Sequence, residues 1–179
     1  MQPGSYIRYV PNTLTILRLL ATPFIFWMMY QRQYVAVLIL FAIVATTDTI
    51  DGRIARKYNV ISKFGAIADP IADKLLLSGS FLIMAITGDF PQWLAILVLG
   101  RDLLILLAAA ALYLIRRQTT FPPSRWGKLS TFAQILFVGF SLGTFAGVPV
   151  APITLGIQWC VVALVAVSTI DYARVVIRS

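Results

Sequence analysis

Six apolar runs, at about residues 12–30, 33–53, 65–87, 91–115, 128–146 and 150–170, occupy most of a 179-residue chain. Each is close to the ~20 residues that a helix needs to cross the hydrocarbon core of a bilayer. Hydrocarbon offers the backbone no hydrogen bonds, so each run must satisfy its N–H and C=O groups internally, as an α-helix does. The expected fold is therefore an all-α integral membrane domain, single over residues 1–179, with six transmembrane helices and little left for a soluble domain. The 59% hydrophobic content agrees. The first run continues to Tyr30 and has no small-x-small cleavage site before Gln31-Arg32-Gln33. It is expected to be a helix and not a signal peptide.

The net charge of +8 follows the same frame. With the N-terminus in the cytoplasm, Arg8, Arg53, Arg56, Lys57, Lys63, Arg116, Arg117, Arg125, Lys128, Arg174 and Arg178 lie on or near one side, and Arg32 alone lies in an opposite-side turn. This positive-inside bias predicts both termini in the cytoplasm, as in a bacterial-type inner membrane, and argues against a nucleic-acid partner. It also suits a leaflet of anionic lipid. Cys160 is the single cysteine and there is no histidine, so any metal site must use oxygen ligands.

Four of the seven acidic residues fall between Asp48 and Asp73, in the stretch DTIDGRIARKYNVISKFGAIADPIAD. An unpaired carboxylate in a bilayer costs ~2.5–3.5 kcal/mol on insertion scales, so this cluster calls for a cation. Asp48, Asp51, Gly52 and Ala55 share one helical face, and Gly65, Asp69 and Asp73 form a second stripe on the next helix. Two antiparallel helices then present two carboxylates each to a shared, cytoplasm-facing cavity. Several carboxylates without imidazole or thiolate favour Mg²⁺, with Mn²⁺ or Ca²⁺ as substitutes. Four carboxylates balance two such ions, and a two-ion site is a means of clamping a phosphoryl group. Gly52, Ala55 and Gly65 keep that surface clear of bulky side chains, and Arg56 is placed for a phosphate oxygen pair.

The pattern D-x2-D-G-x2-A-R-x8-G-x3-D-x3-D is met by Asp48, Asp51, Gly52, Ala55, Arg56, Gly65, Asp69 and Asp73. It resembles the signature of the CDP-alcohol phosphotransferases. That resemblance implies a six-helix membrane enzyme, typically a homodimer, that moves a substituted phosphoryl group from a CDP-linked donor, usually CDP-diacylglycerol, to an alcohol and releases CMP. It implies that Asp48, Asp51 and Asp69 are metal ligands, and that Asp73 is both a metal-site residue and the base for the acceptor proton. Gly52, Ala55, Arg56 and Gly65 correspond to the CDP pocket.

Pro11-Asn12-Thr13-Leu14-Thr15 with Arg18, and Gly127-Lys128-Leu129-Ser130-Thr131 with Gln134, are similar to stretches of the phosphatidylglycerophosphate and cardiolipin synthases of this family. Gly100-Arg101-Asp102 replaces the Ala-Arg-Glu of many phosphatidylglycerophosphate synthases and is closer to the cardiolipin branch. A small anionic alcohol needs cations beside the carboxylates. Arg18, Arg101, Arg116, Arg117, Arg125 and Lys128 supply them, which favours sn-glycerol 3-phosphate as acceptor over choline, ethanolamine, serine or inositol. Phosphatidylglycerol and inositol phosphate are the alternatives.

Blander readings stand beside these. Arg18 is a candidate snorkelling residue, and the adjacent Arg101 and Asp102 are candidates for a structural ion pair. Asn12 or Thr13 is expected to cap helix 1, and Arg116 to Trp126 to form a loop. Gly139, Gly143 and Gly147 are expected to form a smooth face on helix 5, and Asp171 to Arg174 to end helix 6 as an interfacial anchor. An intramembrane prenyltransferase and a divalent-cation transporter are the other functional classes, disfavoured because all four aspartates lie on consecutive helices at one end.

Overall fold

A computed structural model describes residues 10–44, 46, 63–116 and 124–178, with the side chains of 10–15, 63–70, 109, 111–116 and 175–178 outside that description. Among the described residues all regular structure is helical: α1 (Val10–Tyr30), α2 (Tyr34–Val44), α3 (Lys63–Ile86), α4 (Gln92–Arg116), α5 (Arg125–Phe145) and α6 (Ala151–Arg178). Each apolar run contains one helix. Arg125–Phe145 and Ala151–Arg174 are long and apolar enough to cross a membrane, and Ile16–Tyr30 and Tyr34–Val44 are shorter apolar segments.

Several helix ends differ from the sequence expectation, each for a local reason. Helix α1 already includes Val10, so Asn12 and Thr13 lie inside it and not at an N-cap position. Pro11 is tolerated there because the first-turn amides have no helical acceptor. Helix α5 starts at Arg125 because Ser124, extended at φ −65° and ψ 147°, accepts a hydrogen bond from the Gly127 amide at 3.0 Å. Arg125 and Trp126 are thus first-turn residues, not loop. Helix α6 runs through Asp171–Arg174 to Arg178, since that segment contains no glycine or proline to stop it.

Three short connections share one closing geometry. After α1, the Arg32 amide bonds the Met29 carbonyl at 2.9 Å and the Gln33 amide bonds the Met28 carbonyl at 3.0 Å. After α3, Gly88 and Asp89 reach Ala85 and Met84 at 3.4 and 2.9 Å; after α5, Gly147 and Val148 reach Thr144 and Gly143 at 3.1 and 2.9 Å. These are Schellman turns, which require a left-handed residue just past the helix. Gly88 at φ 77° and Gly147 at φ 88° fill that place, and so does Arg32 at φ 58°. Gly147 therefore belongs to a turn and not to a stripe on α5. Of the other two glycines in that stripe, a Cβ on Gly139 would meet nothing within 4 Å, and one on Gly143 would meet only Val150, at 3.6 Å.

The chain divides into two compact units, Met1–Ile83 and Met84–Ser179. In the first, Ile25, Met28 and Met29 of α1, Val37 and Phe41 of α2, and Ala72, Leu76, Leu77 and Phe81 of α3 are buried. The Phe26 ring lies against the Gly79 backbone, where a Cβ would come within 2.0 Å of it. In the second, α6 packs on α5 and on α4. Thr144 and Thr154 join α5 to α6 by a hydroxyl contact of 2.8 Å.

Unlike a water-soluble bundle, the protein exposes many large apolar side chains and buries several polar ones within its apolar core. Arg18, Thr22, Ser80, Arg101, Asp102, Ser130, Gln134, Ser141 and Ser168 are buried, whereas Leu17, Leu20, Trp27, Ile39, Leu75, Ile96, Leu106, Phe132, Leu155 and Trp159 are exposed. Hydroxyls on several helices bond the carbonyl four residues back, as in Thr22 to Arg18 at 2.8 Å, Ser80 to Leu76 at 2.7 Å and Thr169 to Val165 at 2.8 Å. Such bonds satisfy a hydroxyl within its own helix, as an apolar surrounding demands.

Candidate active site

The first unit brings together two of the residues singled out in the sequence. Arg18 lies eight residues past Val10 on α1, only 6% exposed, and its Nη1 donates to Asp73 Oδ1 on α3. Asp73 itself is 53% exposed. Arg18 is therefore not snorkelling to an interface; its guanidinium is buried against a carboxylate on another helix. An arginine fork with five donors in an apolar setting needs such a partner, and the ion pair joins α1 to α3.

Helix α3 is continuous over Gly65, Asp69 and Asp73. Asp69 and Asp73, four residues apart, accordingly share one face of that helix. The side chains at Gly65 and Asp69 lie outside the described residues, as do Asp48, Asp51, Gly52, Ala55 and Arg56 altogether. Asp73 is thus the member of the carboxylate cluster whose surroundings are described. No group of three or more metal-binding side-chain types occurs among the described residues.

The second unit holds Arg101, 5% exposed near the middle of α4. Its Nη1 donates to Asp102 Oδ1 at 2.9 Å and its Nη2 to Ser168 Oγ of α6 at 2.5 Å. The Tyr172 ring lies 5.7 Å from the guanidinium carbon, within cation–π range. A Cβ on Gly127 of α5 would come within 3.2 Å of the Tyr172 hydroxyl and 3.3 Å of Arg101 Nη2, so a small residue there lets α5 approach both. Tyr172 was expected in a terminal anchor; it instead packs on Arg101. Arg101 Nε is buried without a hydrogen-bond partner. Arg101, Tyr172 and Thr169 also line a cavity of ≈ 270 Å³ whose other walls are Leu104, Ile105, Ala108 and Ala173.

The remaining predicted cations are placed less closely. Arg125 and Lys128 are exposed in the first turn of α5, Arg116 is at the end of α4 with its side chain outside the description, and Arg117 lies outside the described residues. Neither the Arg18–Asp73 pair nor the Arg101–Ser168 bond could be found from spacing, because 55 and 67 residues separate the partners.

The profile of the CDP-alcohol phosphatidyltransferases matches residues 8–176. The chain belongs to that family. The resemblance read from the aspartate pattern is thereby borne out, and with it the assignment as a phosphatidyl-transferring enzyme of phospholipid biosynthesis. This CDP-alcohol phosphatidyltransferase is 31% identical over 178 residues to a probable phosphatidylglycerophosphate synthase of Mycobacterium tuberculosis, covering 96% of this chain and 83% of that protein. It is 35% identical over 135 residues to a CDP-diacylglycerol–glycerol-3-phosphate 3-phosphatidyltransferase of Aquifex aeolicus, covering 74% of this chain and 72% of that protein. It is also 32% identical over 156 residues to a probable CMP-forming cardiolipin synthase of Drosophila melanogaster, covering 76% of this chain and 48% of that protein.

Proposed function

We propose that this enzyme transfers the phosphatidyl group of CDP-diacylglycerol to sn-glycerol 3-phosphate. The similarity to a relative named for that acceptor, and to one named for phosphatidylglycerophosphate over 96% of the chain, carries the proposal. The acceptor hydroxyl gives its proton to the Asp73 carboxylate while its oxygen bonds the phosphatidyl phosphorus. The bond from that phosphorus to CMP breaks, and CMP leaves with the electron pair. Gly52, Ala55, Arg56 and Gly65 hold the cytidine diphosphate, and cations chosen from Arg18, Arg101, Arg116, Arg117, Arg125 and Lys128 receive the acceptor phosphate.

The donor set fits a hard divalent ion. The chain has no histidine, and Asp73 presents a half-exposed carboxylate one helical turn from Asp69. Asp48, Asp51, Asp69 and Asp73 would hold Mg²⁺, with two ions and Mn²⁺ as a substitute. When bound, such ions neutralise the diphosphate and polarise its phosphorus.

The same reading places a single domain over residues 1–179 in the cytoplasmic membrane of a bacterial-type cell, with six spans, both termini in the cytoplasm and a cytoplasm-facing cavity. The apolar exterior supports hydrocarbon as its solvent, because exposed leucine, isoleucine and tryptophan side chains occur on helix after helix. The typical state of the family supports a homodimer. Gly100-Arg101-Asp102 and the Drosophila relative favour phosphatidylglycerol as the second reading for the acceptor.

The test uses the purified enzyme in lipid discs, with Mg²⁺ and labelled CDP-diacylglycerol, offered glycerol 3-phosphate, phosphatidylglycerol or inositol phosphate. The expected product is phosphatidylglycerophosphate, made by particles whose native mass holds two chains. Product from phosphatidylglycerol alone would replace this proposal with the cardiolipin reading, and CMP release with none of the three would reject both.

A further inference from the structure

We infer that Arg18 is a built-in counter-ion of the carboxylate cluster, holding Asp73 when no metal is bound and weakening divalent-ion binding by competing for it. The inference rests on the proposed metal role of Asp73. It starts from the observation that a guanidinium only 6% exposed donates to the same carboxylate that the metal reading requires.

The contact is built in, not incidental. Arg18 sits well inside α1, and Thr22, 5% exposed, bonds the Arg18 carbonyl one turn on at 2.8 Å. The Arg18 side chain is buried while Asp73 remains 53% exposed. The carboxylate that this fixed cation holds is thus still more than half exposed, and an arriving ion can reach it.

Two cations on one carboxylate repel each other, and an arginine within about 4–6 Å of an aspartate typically weakens its hold on a proton by about 1–3 pKa units. A divalent ion feels the arginine charge at least as strongly as a proton does. With Arg18 present, the metal-free cluster is partly neutralised and tolerates burial. Metal binds less tightly, and an anionic donor finds one more cation at the site.

Thermal unfolding of the purified protein in detergent, without substrates, reads this directly when Mn²⁺ is titrated. The parent should gain melting temperature with a definite midpoint concentration. Arg18→Gln should melt lower without metal, and its Mn²⁺ midpoint should fall at least about tenfold. Arg18→Lys, which keeps the charge, should stay within about threefold of the parent. An unchanged or raised midpoint in Arg18→Gln, with the parent responding normally, overturns the inference and leaves the metal site intact. A parent with no Mn²⁺ response, or an Asp73→Asn variant that responds like the parent, removes Asp73's metal role and the inference with it. If Arg18→Gln does not fold without metal, recovery on folding in millimolar Mn²⁺ supports the inference, and failure at every Mn²⁺ concentration overturns it.

Discussion

Asp73 meets a cation of the protein itself, while its proposed chemistry needs it to accept a proton. Asp73→Asn keeps the shape and removes the base, so with metal raised enough to offset its weaker metal binding it should retain CDP-diacylglycerol binding and lose at least about 100-fold in transfer. Asp48→Asn, Asp51→Asn and Asp69→Asn should lose metal-dependent activity instead. CMP release measured beside donor binding separates the two patterns, and near-parental turnover in any of these three would refute the metal assignment. Arg101 poses a different question, since Asp102 and Ser168 already engage it. Arg101→Ala leaves Asp102 buried with one cation fewer and should cost about 3 kcal/mol in unfolding. Arg101→Ala with Asp102→Ala should cost less than the two single changes together. Additive losses in that double-mutant cycle would mean the neighbouring charges do not stabilise each other.

At the scale of the element, the three Schellman turns make a graded prediction. Arg32 adopts a conformation that costs a residue with a Cβ roughly 1–2 kcal/mol. Arg32→Gly should therefore raise unfolding stability by about 1 kcal/mol, and Gly88→Ala and Gly147→Ala should each lower it by a similar amount. Chemical unfolding in detergent checks all three, and a destabilised Arg32→Gly would contradict the turn geometry. These turns also mark what the chain disclosed before folding. Each helix was visible because a long apolar run fixes its existence, but Arg32 carries no glycine signal at a glycine position. Four-residue spacing placed Gly147 on α5 because nothing in the spacing tells a helical glycine from the one that ends the helix. Asp69 and Asp73 were legible as neighbours through local periodicity; the contact of Asp73 with Arg18 was not, because it depends on how α1 and α3 meet.

For the whole molecule, the polar stripe buried in α5 has a consequence for how the chain is made. The most apolar 18-residue stretch of α5 has a mean hydropathy of 1.2, against 2.1 for that of Ala151–Arg174, and 44% of it is buried against 17%. Ser130, Gln134 and Ser141 are among its buried residues, and α6 is the next helix to pack on α5. A segment emerging from the ribosome meets lipid before it meets its neighbours, so α5 by itself would offer an amide and two hydroxyls to acyl chains. Its entry into the bilayer should therefore wait for α6, the pair partitioning as one unit. Glycosylation mapping of nascent chains ending at residue 150 should find α5 incompletely inserted, and chains ending at 179 should find it fully inserted. That result would mean that biogenesis at this step is timed by the second helix of a pair, so that a ribosome pause between the two holds the first at the translocon.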